Sequence, residues 1–352
     1  MGINNLNSLL RKHCPHVYKE VHLSEFAFQK ISIDVSLFMC KYKTISDNWI
    51  GSFISLIACL RKNNVHCVFI FDTGHPQEKI QEKQERVQGR EKIKARVDEL
   101  EISLIKYETM DIYEDVIHDF FLKIDGIDHT KMMKKEQKLT ILREKIEKKK
   151  RANFSITPED WCNLRKLFDI MNVSYYNAPL EAETMCADLC KRGLVSGALS
   201  DDTDVLAYEC PVFLTNINIY KETVVKIEYE NLLLGLNLTK EQFLDLCIMC
   251  GTDYNKNIPK VGCETSYKYI SAYGSIEEVG KQKNLDIVIL NHERSRELFT
   301  KYDPYVFDGE IIYNSEPDYV KLQEFMFFLN LNVNIDYIKK CYTPKIIFEN
   351  NK

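Results

Sequence analysis

Seven carboxylates carry the chemical signal of this chain: Asp34, Asp72, Glu181, Glu183, Asp202, Asp204 and Asp253. Most of them directly follow an apolar run, as in KISID, CVFIFD and GALSDDTD. Carboxylates placed where buried strands end converge at one edge of an α/β sheet, which is where ligands bind in such folds. So many acids brought together repel one another and raise their own pKa values unless cations sit among them. Oxygen-preferring divalent ions such as Mg²⁺ or Mn²⁺ are the natural counter-charge. A carboxylate-only site for two such ions is an architecture of phosphodiester hydrolysis.

Each motif taken singly has a plainer explanation. Glu181 and Glu183, in APLEAETMCADLCKRG just after Pro179, are two apart and share no face in mid-helix. In a first turn they can still splay around a cation, and a helix N-terminus favours anions. Ordinary acidity at a helix start explains them equally well. Asp202 and Asp204, in LSDDTDVLAY, alternate like strand-end residues, with an acidic loop as the alternative. Asp253 follows an apolar helix, Phe243–Cys250, in the turn GTDY, where a turn-forming Asp competes. Asp34 and Asp72 close hydrophobic strands, where helix capping competes. Their joint occurrence in this order is what points to one site. Cys247 and Cys250 form a CxxC in an apolar helix with no second pair at zinc spacing, which favours buried thiols. The eight His lie outside the acidic motifs, and no Ser–His or Cys–His constellation suggests covalent catalysis.

The elements that must position these acids follow from the apolar patterning. An amphipathic start (Ile3, Leu6, Leu9, Leu10) precedes a strand Lys30–Val35, a helix around Ser52–Lys62 and a strand Val65–Asp72. Such alternation suggests βαβ units and a parallel sheet. From Pro76 to about Arg151 strand signals fade, and Lys, Arg, Glu and Gln dominate, as in EKQERVQGREKIKARVDELE. These are helix formers with many opposite-charge i,i+4 pairs, so a long polar helical insertion is expected. Its high charge and few large aromatics suggest a mobile segment and not a fixed, buried lobe. A helix Pro158–Met171, with Thr157 as candidate cap, leads to a strand Val173–Tyr176 and a helix from Glu181. Strands follow near Ala198–Leu199, Val212–Leu214 and Val224–Ile227, and the remainder is mainly helical.

At 352 residues and 45% hydrophobic, the chain can bury one large core with an appended lobe. A net charge of −5 argues at first against a nucleic-acid partner, but the acidic set alone exceeds that excess. Local basic density is what binds phosphate. Twelve Cys form no regular framework, and neither a signal peptide nor an apolar run of membrane-spanning length is visible. Free thiols in a reducing, intracellular compartment and no membrane partner are expected.

The same residues carry a family resemblance. MGINNL, SIDVS, FIFD, APLEAE, SDDTDVL, CGTDY and IPKVGCETSYKYI occur in the order found in the flap endonuclease and XPG family of structure-specific 5′ nucleases. The match covers about residues 1–275 and fades after about 276. The resemblance implies a PIN-like α/β core with a mostly parallel sheet flanked by helices, an inserted helical arch and a C-terminal helix-hairpin-helix region. The boundaries expected on this basis are 1–75 and 152–235 for the core, 76–151 for the arch and 236–352 for the helical DNA-binding part.

It further implies one Mg²⁺ on Asp34, Asp72, Glu181 and Glu183 and a second on Asp202, Asp204 and Asp253, with Mn²⁺ able to substitute. Lys79 and Arg86 match the family's basic pair, which contacts the scissile phosphate; seven apart, they would share a helix face. Arg90 extends that helix. Gly2, Lys260, Gly262 and Thr265 fall at matching DNA-contact positions, with Gly262 as a glycine turn presenting backbone groups to phosphate and K⁺ as a bridging ion. The implied activity is cleavage of flapped or branched DNA at single-strand/duplex junctions, with 5′ exonuclease action, in replication, repair or recombination. A bubble-cutting relative and a catalytically inactive junction-binding scaffold are the alternatives. A monomer in the nucleus, or in host cytoplasm for a virus-encoded protein, is implied.

The chain departs from the family in several places. Asn5 replaces a second N-terminal glycine, and Thr73 replaces the glycine after Asp72. Cys40 replaces an aromatic, with Tyr42 nearby, and the Asp72–Glu181 interval is longer than in short flap endonucleases. The end, TPKIIFENNK, shows no aromatic sliding-clamp motif.

Overall fold

Seven strands form one sheet: β1 (Lys19–His22), β2 (Lys30–Asp34), β3 (His66–Phe71), β4 (Ser174–Asn177), β5 (Ala198–Leu199), β6 (Val212–Asn218) and β7 (Thr223–Glu228). Their order is β1-β7-β6-β5-β2-β3-β4. Neighbours from β6 to β4 pair in parallel, whereas β7 is antiparallel to both β6 and β1. This computed structural model describes residues 2–125, 133–302 and 313–343. The C-terminal stretch beyond Thr343, where no clamp motif was expected, lies outside the described residues.

Burial explains the strands. Every residue of β3 is buried, as a parallel strand covered on both faces requires. β1, with the sequence KEVH, is mostly exposed and has no apolar alternation to announce it. It exists through its ladder with β7, from Lys19 opposite Lys226 to His22 opposite Thr223. Two helices, Val35–Ile45 and Trp49–Lys62, connect β2 to β3 where the patterning suggested one. Asp204, expected at a strand end, instead opens the short helix Asp204–Ala207.

Cα packing divides the chain into two units. The first comprises Met1–Met39, Asn48–Ile80 and Pro158–Lys352, and the second Cys40–Asp47 and Gln81–Thr157. In the first unit a continuous core runs from Leu6, Leu9 and Leu10 through Ile70 and Met185 to Phe243, Ile270 and Phe299. The helices Lys240–Cys250 and Cys263–Tyr273 belong to it, and Cys247 and Cys250 are buried free thiols within it. The charged insertion is helical as expected; among the described residues it forms Ile80–Met110, Asp115–Asp125 and Lys135–Ala152. The expectation that this segment lacks a buried lobe is corrected, because Val97, Leu100, Leu104, Ile117, Phe120, Leu139, Leu142 and Ile146 enclose a small core of their own. These apolar residues are thinly spaced among charges, so composition hid a seam that helical periodicity assembles.

Candidate active site

Three adjacent parallel strands deliver the acids. Asp34 ends β2, Asp72 follows β3, and Asp202 lies three residues beyond β5, so all three meet at the carboxyl edge of the sheet. Glu181 and Glu183 stand at the start of the helix Ala182–Lys191, and Asp253 in the turn after Lys240–Cys250. Several of these acids are held by one oxygen. The Leu37 amide donates to Asp34 Oδ1 at 3.2 Å, and the Ala182 amide to Asp72 Oδ1 at 2.6 Å. The Asp204 amide donates to Asp202 Oδ1 at 2.9 Å, and Ser36 donates to Asp72 Oδ2. Asp34 therefore does cap the helix that follows it, and Asp72 supplies a cap from another segment to the helix bearing Glu183. Capping and convergence are not rivals here, because a cap uses only one carboxylate oxygen.

Both oxygens of Asp204 and Oε1 of Glu183 are buried without a hydrogen-bond partner. Asp204 is 1% exposed and Asp34 4%. Burial first, and then the Asp72 charge, push the Asp34 carboxyl well above the ordinary carboxylate range. Burial also raises Glu183, with Lys79 opposing, and raises Asp204, with Asp202 and Asp253 adding to it. Asp202 is raised mainly by burial.

Lys79 is the cation among them. It lies in a 3₁₀ turn, Gln77–Lys79, and is buried. Its Nζ pairs with Glu181 Oε1, lies 2.9 Å from Asp253 Oδ2 and 3.6 Å from Glu183 Oε1. Burial disfavours the ammonium, but Glu183, Glu181 and Asp253 outweigh it and raise the Lys79 pKa. Lys79 lies in the turn just before the helix Ile80–Met110, whereas Arg86 is exposed inside that helix and paired with Glu82. Among the described residues, no group of three or more His, Cys, Asp or Glu side chains is arranged as a ready-made metal cage. The donor set nevertheless fits hard cations: all seven candidate residues are carboxylates, and three of their buried oxygens lack a hydrogen bond.

Other candidates have distinct settings. Gly2 has φ +89°, and a Cβ there would lie 2.1 Å from Asp202 Oδ1 and 2.8 Å from the Thr203 amide nitrogen. The Ile3 amide donates to Thr203 Oγ1 at 3.1 Å, which ties the N-terminus to the acidic turn. Asn5 takes φ 57°, so this replacement keeps the left-handed turn a glycine would make. The glycine turn expected at Gly262 is corrected: the left-handed residue is Lys260, with φ 66°, while Gly262 has φ −90° and caps Cys263–Tyr273. Nothing lies within 4 Å of a Cβ at Gly262, so this helix start is open to a ligand. Thr265, in the first turn, is partly exposed. Arg90, in the second unit, is exposed, and its carbonyl accepts from Asn153 Nδ2 at 3.1 Å.

Three contributors escaped the sequence reasoning. Thr73 Oγ1 donates to the Ala178 carbonyl at 2.7 Å, and its amide to the Leu180 carbonyl at 2.9 Å, fixing the bend between β4 and Glu181. Tyr254 donates to Glu181 Oε2 at 2.5 Å, and Tyr208 lies 2.5 Å from the Tyr254 hydroxyl. The only signal for Tyr254 was its place beside Asp253, and Tyr208 gave none beyond lying four residues past Asp204.

Such a sheet-edge carboxylate cluster defines a nuclease-type site, and comparisons with known proteins agree. Residues 1–93 match the XPG N-terminal domain and residues 172–253 the XPG I-region. A protein named as a probable RAD2-like endonuclease in Invertebrate iridescent virus 6 is 33% identical over 377 residues, covering 96% of this chain and 91% of that protein. Flap endonuclease 1 of Lodderomyces elongisporus is 30% identical over 309 residues, covering 81% and 70% respectively. The catalytic core of Rad2 in complex with DNA substrate shares the fold, with a TM-score of 0.66 and 18% identity, over 97% of this chain and 98% of that one. The chain belongs to the XPG and flap endonuclease family of structure-specific nucleases. It is a hydrolase acting on DNA, and dependence on divalent metal is a property of this family. Among the described residues, no helix is long and apolar enough to cross a membrane.

Proposed function

We propose that this nuclease hydrolyses phosphodiester bonds at single-strand/duplex DNA junctions, releasing 5′ flaps and, at ends, 5′ nucleotides. The observation that carries the proposal is the buried carboxylate edge, with oxygens of Asp204 and Glu183 that lack a hydrogen bond. Asp34, Asp72, Glu181 and Glu183 would hold one Mg²⁺, and Asp202, Asp204 and Asp253 another, with Mn²⁺ as substitute. When bound, such ions supply an activated water and stabilise the departing 3′ oxygen.

The chain's own residues do the rest. Lys79 balances the acids until phosphate arrives and then offers its ammonium to the scissile group. Arg86 supplies charge that matters most in the transition state, and Arg90 meets the single strand on the insertion, the family's arch at 76–151. Lys260, the open amide end at Gly262 and Thr265 grip duplex phosphates without reading sequence, with K⁺ as a bridging ion. Gly2 keeps the N-terminus clear of Asp202. The protein works as a monomer inside the cell, in the nucleus or the cytoplasm of a virus-infected host, in replication, repair or recombination. A bubble-cutting endonuclease is the second reading, alongside a relative named as a probable RAD2-like endonuclease that matches nearly the whole chain.

A labelled panel of flap, bubble, nicked and blunt duplexes tests this. Cleavage should require Mg²⁺ or Mn²⁺ and stop in EDTA. Arg86→Ala should slow single-turnover cutting with little loss of binding. A bulky block on the 5′ end of a flap should suppress cutting if added before the enzyme and not after. Efficient cutting of closed bubbles would move the substrate assignment to the second reading; full activity in EDTA would overturn the metal chemistry.

A further inference from the structure

Both oxygens of Glu181 are engaged, as are those of Asp72, but at Glu181 the partners are a buried ammonium and a buried phenol. Lys79 pairs with Oε1, and the Tyr254 hydroxyl donates to Oε2 at 2.5 Å. Behind Tyr254 stands Tyr208, with the two hydroxyl oxygens 2.5 Å apart. Tyr208 and Tyr254 are buried, 1% and 5% exposed, so neither hydroxyl has bulk water as a partner.

The direction of this chain follows from donor arithmetic. A phenol has one proton to donate. An ionised carboxylate only accepts, so Tyr254 spends its proton on Glu181. Tyr208 must then donate to the Tyr254 oxygen. Both hydroxyl dipoles point toward Glu181. Hydrogen bonds aligned in sequence polarise one another, and a buried setting strengthens each of them. The rings are also fixed: Phe299 packs against both, at centroid distances of 4.9 Å from Tyr208 and 5.1 Å from Tyr254.

We propose that Tyr254, backed by Tyr208, is a positioning residue of the nuclease site, a hydroxyl relay that fixes the Glu181 carboxylate in one orientation for a divalent cation. The proposal rests on the metal assignment made above. Its physical basis is that a ligand oriented in advance loses less freedom on binding, and partners behind metal ligands typically govern about ten- to a hundredfold in affinity. The tyrosines do not touch substrate or the reacting bond.

The test uses the full chain and Mn²⁺ as probe, with binding followed by electron paramagnetic resonance of the free ion. Tyr254→Phe should weaken Mn²⁺ binding about tenfold or more. Tyr208→Phe, which leaves the bond to Glu181 in place, should weaken it by only a few fold, by loss of polarisation. Added to Tyr254→Phe, Tyr208→Phe should cost nothing further, because the relay is already cut. A merely structural role would instead lower the thermal midpoint in EDTA and the metal-free affinity for duplex DNA; both should stay at wild-type values in Tyr254→Phe. Wild-type Mn²⁺ affinity in Tyr254→Phe, or additive losses in the double variant, would overturn the relay. Should Tyr254→Phe not fold, unchanged Mn²⁺ affinity in Tyr208→Phe would overturn it equally. Failure of the wild-type protein to bind Mn²⁺ at all would instead sink the metal assignment.

Discussion

The sheet edge and the helical insertion are built from the same charged residue types and use them in opposite ways. At the sheet edge, Asp34, Glu183 and Asp204 are buried, crowded and raised above the usual carboxylate range. In the insertion, Glu108 pairs with Arg143 and Glu101 with Lys150, and Lys106 lies 2.6 Å from Glu114, largely in solvent. The first arrangement stores repulsion that a cation relieves; the second solvates a helix surface at little energetic consequence. A carboxylate's role is therefore decided by what surrounds it and not by the density of acids in the sequence.

The largest expected effect breaks the comparison at its strongest point. Asp204→Asn should reduce single-turnover cleavage on the order of a hundred- to a thousandfold, as loss of one charge-stabilising group does. It should also raise the thermal midpoint in EDTA, because it removes a buried charge with no partner. A midpoint that falls would mean that Asp204 is paired in solution.

Gly2→Ala comes next, on the order of a hundredfold in rate from misplacement of Asp202, with duplex binding unchanged. Its added methyl meets Asp202 Oδ1 at 2.1 Å on a backbone of φ +89°. Wild-type turnover would show that the Asp202 turn tolerates the shift. On the insertion side, Leu142→Ala should cost about 2–5 kcal/mol of local stability, since Leu142 is fully buried in the small core. Hydrogen exchange should then speed up in 81–157 while β2 and β3 keep their protection. Uniform loss of protection would mean that the two units unfold together.

Acidification gives a smaller effect. His66 on β3 accepts from the Asn314 amide at 3.0 Å, and burial first, then Arg61 and Lys30, push its pKa down from 6.5 to about 4. The unfolded chain takes up a proton below about 6.5 that the folded chain refuses until about 4, so stability is lost as pH falls through that window. A loss of about 1–2 kcal/mol is expected, and His66→Gln should remove this part of the slope in urea titrations at pH 7 and 5. Smallest is Glu108→Gln, an exposed pair whose removal should change stability by less than about 0.5 kcal/mol and leave cleavage unaltered.

Legibility in the sequence tracked burial. β3 read clearly because CVFIF is apolar throughout, and β5 was placed at Ala198–Leu199, where it occurs. β1 did not, because an exposed edge strand needs no apolar pattern, only a partner. The insertion core was missed because its apolar residues are few against charge that local composition counts equally. The acids could be read as a candidate set because most follow an apolar run, as Asp34 ends β2 and Asp72 follows β3.

The order of apolar runs and the acids that close them are local properties, and the sequence by itself determined them: an α/β sheet with carboxylates at its strand ends and a charged helical insertion. Tertiary structure decided which groups meet. It brought Lys79 to Glu181 across 102 positions, Tyr254 to Glu181 across 73 and Ile3 to Thr203 across 200. It also put the left-handed turn at Lys260 instead of Gly262. These outcomes depend on how packed elements align, because a hydrogen bond or an ion pair is decided within a few ångströms, a distance that residue spacing along the chain does not encode.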